Sequence, residues 1–156
     1  MKLVYVVTRA DAVGGASIHV RDLARETISR GHDVTVLVGG AGPVTDQLAA
    51  ANVPFQSLRH LGRSIHPLRD LLAIRELTAA LRALRPDLVS THTAKAGLVG
   101  RLACRKLKLP CIYTPHGFAI GSRISPLLGP VFALLERRAA RWCAAIVCVC
   151  ESERRL

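Results

Sequence analysis

Three short segments of the 156-residue chain gather side chains able to do chemistry, and each directly follows an apolar run. In Thr8-Arg9-Ala10-Asp11-Ala12-Val13-Gly14-Gly15-Ala16, the two glycines stand just before a helical stretch. There, backbone N–H groups can approach an anion at the positive end of the helix. The alternative is a flexible turn that needs two glycines. Neither a G-x-G-x-x-G fingerprint nor a Gly-Lys-Ser/Thr phosphate loop is present, which disfavours dinucleotide chemistry. In Ser90-Thr91-His92-Thr93-Ala94-Lys95-Ala96-Gly97, His92, Thr93 and Lys95 offer an imidazole, a hydroxyl and a cation around one helix start, a set suited to hydroxyl-rich or phosphorylated ligands. The structural alternative has Thr91 or Thr93 capping the helix, with Gly97 and Gly100 permitting close packing on a sheet. In Tyr113-Thr114-Pro115-His116-Gly117-Phe118, a neutral His116 imidazole could hydrogen-bond a ligand hydroxyl or stabilise charge, with Gly117 keeping the space above it open. A satisfied turn histidine is the alternative there. Among the remaining histidines, His19 can face a cleft from the first helix, His32 belongs to a Gly-His turn, and His60 and His66 read as surface groups.

Several chemistries lack their residues. No carboxylate pair with glycosidase spacing, no G-x-S-x-G elbow and no H-E-x-x-H motif occurs, so hydrolysis has no visible machinery. Cys104, Cys111, Cys143, Cys148 and Cys150 form an odd set without a C-x-x-C pair, expected to be buried thiols in a reducing cytoplasm. The formal net charge is +11, and of the 22 basic residues only four are lysines. Such a field attracts nucleic acid, anionic lipid or phosphorylated substrates. An aromatic content of 4% is too sparse for a base-stacking platform, so nucleic acid is not the expected partner.

The elements that must position these segments follow from periodicity. Leu3 to Thr8 reads as a strand buried on both faces, and its short apolar run lacks the features of a signal peptide. A helix is expected from about Ser17 to Arg30 with Val20, Leu23, Ala24, Thr27 and Ile28 inward, stopped by Gly31. Asp33 to Val38 and Val53 to Leu58 read as strands around a short helix at Val44 to Ala51. Pro67 opens a longer helix with the stripe Leu71, Ile74, Leu77, Leu81 and Leu84, ended by Pro86. Asp87 to Thr91, Cys111 to Thr114 and Ala145 to Val149 complete the strands. Between them lie helices at Ala96 to Lys108 and from Ser125-Pro126, the latter with Leu127 or Leu128, Val131, Leu135 and Trp142 on one side. The last residues, from Glu151, read as a helix without an end. No apolar run reaches the roughly 18 residues of a membrane span. The fold class is α/β: a doubly wound, Rossmann-like parallel sheet of about six to seven strands with helices on both faces.

In order, Gly14-Gly15-Ala16 with His19-Val20 and Leu23-Ala24, Arg30-Gly31-His32-Asp33-Val34-Thr35-Val36, Pro86-Asp87-Leu88-Val89, Thr91-His92-Thr93-Ala94-Lys95-Ala96-Gly97 and Tyr113-Thr114-Pro115-His116-Gly117-Phe118 resemble the N-terminal domain of family 4 glycosyltransferases of the GT-B type. The resemblance covers essentially the whole chain, and the Thr-His-Thr-Ala-Lys-Ala-Gly segment looks most like bacterial transferases of envelope polysaccharides. It implies that residues 1–156 are the acceptor-side lobe and that the C-terminal, donor-binding lobe is absent from this chain. It also implies retaining transfer of a sugar from a nucleotide-diphosphate donor to a glycan or polyprenyl-linked acceptor, without a metal or other cofactor. On this resemblance His116 is the catalytic contact to the transferred sugar, and Gly14, Gly15 and Gly117 lie on the donor side. His19, His92, Thr93, Lys95 and Phe118 lie on the acceptor side. Cys150 departs from the family, standing where a serine is common. A cytoplasmic protein is expected, held peripherally on the inner face of the cytoplasmic membrane by arginines in 67–85, 101–108 and 123–141. Two other readings stay open: a stand-alone membrane-recruiting subunit of a split transferase, and an unrelated Rossmann-like nucleotide-binding module.

Overall fold

The computed structural model describes residues 1–117 and 129–155. Six parallel strands, β1 (Lys2–Val7), β2 (Asp33–Gly39), β3 (Phe55–Leu58), β4 (Leu88–His92), β5 (Cys111–Thr114) and β6 (Ala145–Ile146), form one sheet in the order β3-β2-β1-β4-β5-β6. Between them run α1 (Gly15–Ser29), α2 (Pro43–Ala50), α3 (Pro67–Leu84), α4 (Ala94–Leu107) and α5 (Gly129–Ala140), and α6 (Glu151–Arg154) follows β6.

The unbroken apolar run of β1 is explained by its central place, because alternate side chains enter opposite layers. Val4 and Val6 join Leu37, Val89 and Cys111 beneath Leu77, Leu81, Val99 and Ala103 of α3 and α4. Tyr5 and Val7 join Val34, Val36 and Val38 beneath Val20, Ala24, Val44 and Leu48 of α1 and α2. The expected helix stops hold. Gly31 has φ +83°, and the residue before Pro86, Arg85, closes α3 in the left-handed region. Close packing at the two α4 glycines is also present: a Cβ on Gly97 would lie 2.2 Å from the Tyr113 ring, and one on Gly100 2.3 Å from Thr91 Cγ2.

Other expectations need correction. Leu71 is 47% exposed; α3 buries Ala73, Thr78 and Ala80 beside Leu77 and Leu81, because residues three and four apart share the sheet-facing stripe and Leu71 falls off it. On α5, Leu135 is exposed and Ala139 is buried, while the expected start at Ser125-Pro126 and Leu127 or Leu128, and the side chain of Val131, lie outside what the structure describes. Strand β6 is two residues long, and Val147 and Val149 are exposed. Only Cys104 and Cys111 are buried thiols; Cys143 and Cys148 are half-buried and Cys150 is exposed. Arg101, expected on a basic surface, is fully buried against Glu136 and Tyr113.

Candidate functional site

The site grows from the carboxyl ends of β1, β4 and β5. Val7 pairs in register with His92, and His92 with Thr114, so the loops after these three strands emerge side by side. Chain direction across the sheet reverses between β1 and β4, the place where an open parallel sheet leaves a crevice for ligand.

His92 is the last residue of β4 and is 1% exposed. Its Nε2 lies 3.0 Å from Ser90 Oγ, and its Nδ1 lies 3.1 Å from His116 Nε2. His19 closes the group from α1, its ring centroid 5.0 Å from that of His116 and 5.8 Å from that of His92. Burial, and then the neighbouring His116 and His19, depress the His92 pKa to about 3, which keeps the ring neutral. Burial and His19 also lower the His116 pKa, against an opposing pull from Glu153.

Two residues at this rim hold backbone conformations that L-residues rarely adopt. Thr93 has φ 73° and ψ 158°, a region essentially reserved for glycine, and His116 has φ 54°. Strain of this kind costs about 1–3 kcal/mol per residue and persists where the surroundings impose it, commonly at functional sites. Here the restraints are visible. Thr93 Oγ1 bonds Thr8 Oγ1, and Thr8 Oγ1 accepts from Ala96 N at 3.0 Å, so the loop after β1 caps the start of α4. That arrangement corrects the expectation that Thr91 or Thr93 caps the helix: Thr91 donates to Ile112 O in the core, and Thr93 makes no side-chain cap bond. The His116 turn is held by Glu153, which accepts from Gly117 N and from Val149 N.

Of the residues singled out from sequence, His19, His92 and His116 converge. Both ring nitrogens of His92 have protein partners, Ser90 and His116, so a sugar ligand in the crevice meets His116 before His92. Gly14 and Gly15 start the helix that carries His19, and nothing lies within 4 Å of a Cβ added to either. Gly14 N donates to Ser17 Oγ at 3.0 Å. Gly117, at φ 102°, is likewise open. Lys95 is committed to Asp70 at 2.6 Å. Phe118 lies outside the described residues. Cys150 begins α6 without a side-chain cap bond and contacts Ser152 Oγ instead. Glu153 was missed by sequence reasoning, and Ser90 was named with its segment but given no role. The only available signal was a carboxylate soon after an apolar run at the start of a helix. A hollow of about 350 Å³ beside Arg21, Arg25 and Asn52 is not lined by the histidines.

A doubly wound parallel sheet with a crevice between β1 and β4 makes this chain a Rossmann-like α/β lobe. Its fold matches *Acinetobacter baumannii* MurG, with a TM-score of 0.69 and 17% identity, covering 94% of this chain and 40% of that one. It also matches *Anabaena* HepE in complex with UDP and glucose, with a TM-score of 0.73 and 20% identity, covering 94% of this chain and 37% of that one. The chain belongs to the glycosyl transferase 4-like domain family, whose model matches residues 14–156. It is 31% identical over 118 residues to an *Escherichia coli* UDP-Gal:alpha-D-GlcNAc-diphosphoundecaprenol alpha-1,3-galactosyltransferase; the match takes in 75% of this chain and 30% of that relative's length.

Proposed function

We propose that the chain is the acceptor-side lobe of a retaining glycosyltransferase of envelope polysaccharide synthesis, completed by a donor-binding lobe. It would move a sugar from a nucleoside-diphosphate donor to a glycan or polyprenyl-linked acceptor without a metal. The observation that carries this reading is the Ser90–His92–His116 chain at the β1/β4 crevice. If Ser90 donates to His92 Nε2 and His92 Nδ1–H donates to His116 Nε2, His116 keeps its own proton on Nδ1. That proton is a donor for an oxygen of the transferred sugar, held by a neutral imidazole that leaves the acceptor hydroxyl's proton to the departing diphosphate. Gly14, Gly15 and Gly117 leave room for the donor diphosphate. His19 and Thr93 line the acceptor side, with Lys95 beside them if an acceptor phosphate displaces Asp70. The relative's named substrates, UDP-Gal and a diphosphoundecaprenol-linked GlcNAc, support both substrate classes.

An anionic membrane surface would present such an acceptor. No helix among the described residues is long and apolar enough to cross a membrane. Ile65 and Leu68 are about 70% exposed beside Leu71, Leu72, Arg63 and Arg69, an apolar and cationic surface suited to the inner face of the cytoplasmic membrane. Co-sedimentation with vesicles should rise with anionic lipid content, and indifference to it would remove the membrane from the proposal. The function itself is tested by a donor screen on the complete polypeptide with a polyprenyl-diphosphate-linked acceptor. Transfer from at least one nucleotide sugar is expected. Tight dinucleotide binding with no sugar-nucleotide binding would refute the proposal.

A further inference from the structure

We propose that His19, His92 and His116 form a binding site for a transition-metal ion of the zinc class, with one coordination position open to the crevice. One ring nitrogen from each residue lies within 4.8 Å of the others. The closest pair, His92 Nδ1 and His116 Nε2, is 3.1 Å apart, close to the roughly 3.3 Å edge of a tetrahedron with Zn–N bonds of about 2.0–2.1 Å. The three ligands come from separate elements, α1, β4 and the turn after β5, so the packed lobe sets their backbone positions, and rotation of the exposed His19 ring brings the third nitrogen to coordination distance.

A polar atom already stands where the far nitrogen of a metal-bound histidine needs one. Ser90 Oγ is 3.0 Å from His92 Nε2. When a metal takes His92 Nδ1, the proton shared with His116 is replaced; His92 then carries its proton on Nε2, where Ser90 accepts it, and no proton need leave. The donor set is imidazole alone, which suits zinc, copper or nickel and not magnesium or calcium. His19 is exposed and His116 half-buried, so the fourth position faces solvent. On the proposed function, the ion would take His116 from the donor sugar, so metal and sugar nucleotide would exclude each other; metal binding itself does not depend on that reading.

The test uses tag-free, chelator-treated protein without any sugar nucleotide, titrated with Co(II) and then Zn(II). Wild type is expected to bind one equivalent of Co(II) with tetrahedral visible absorption and no thiolate charge-transfer band, and Zn(II) should displace it. Affinity should fall at least about tenfold in His19→Ala and in His116→Gln, while Cys150→Ser leaves it unchanged. Because His19 is exposed, its loss leaves the core intact, and circular dichroism will show that the variant is folded. Absence of stoichiometric binding, binding unaffected by His19→Ala, or binding lost in Cys150→Ser would each overturn the site.

Discussion

Arg101 and His92 are both buried in this lobe, and their partners tell them apart. Arg101 is fully buried; its Nε donates to Gly97 O, its Nη2 donates to Glu136 at 2.8 Å, and its guanidinium lies 4.1 Å over the Tyr113 ring. Every one of those partners belongs to the α4, α5 and β5 framework. His92 is equally buried but neutral, and its contacts lead outward through His116 to the exposed His19. The first arrangement ends inside the protein and fixes how α5 docks. The second ends in the crevice, beside backbone held in rare conformations. Burial alone therefore does not mark a site; what marks one is a buried polar chain that opens at a strand's carboxyl end.

Breaking the structural cluster should have the largest effect on stability. Arg101→Ala leaves Glu136 without its buried partner and should cost about 3–5 kcal/mol. Denaturant unfolding reads that loss, and Arg101→Met combined with Glu136→Leu should recover most of it. Gly97→Ala, whose Cβ would meet the Tyr113 ring, should cost about 1–3 kcal/mol. Gly15→Ala, with open space around it, should stay within about 0.5 kcal/mol while lowering transfer activity.

The effect of the histidine chain depends on pH and is small only near neutrality. A folded-state pKa near 3 against an ordinary value near 6.5 means that the unfolded chain binds the extra proton first. Stability is then whole above pH 6.5 and falls as pH drops toward 3, by at most about 1.4 kcal/mol per pH unit from His92. His92→Gln should flatten that slope in thermal melts at pH 4 to 7; an unchanged slope would assign the acid sensitivity to other groups.

Most of the framework was legible in the sequence because its signals are local. The β1 run, the Gly31 stop, the Pro67 start and the small residues Gly97 and Gly100 each fix their own surroundings. The site was legible only as three separate segments, since the contact between His92 and His116 depends on the β4–β5 register, which no local pattern states. Glu153 escaped notice because its bond to Gly117, 36 residues away, depends on tertiary packing, while its bond to Val149 is an ordinary contact at a helix start. Arg101 was misplaced because composition counts a buried arginine and a surface one alike.

On the proposed function, His116, held by His92, serves the transferred sugar. The most direct test is the transfer rate of the complete polypeptide, comparing wild type with His116→Ala at saturating nucleotide sugar and acceptor. A fall of about a hundredfold or more in kcat is expected if one charge-stabilising donor is lost. Turnover near the wild-type rate would contradict the claim.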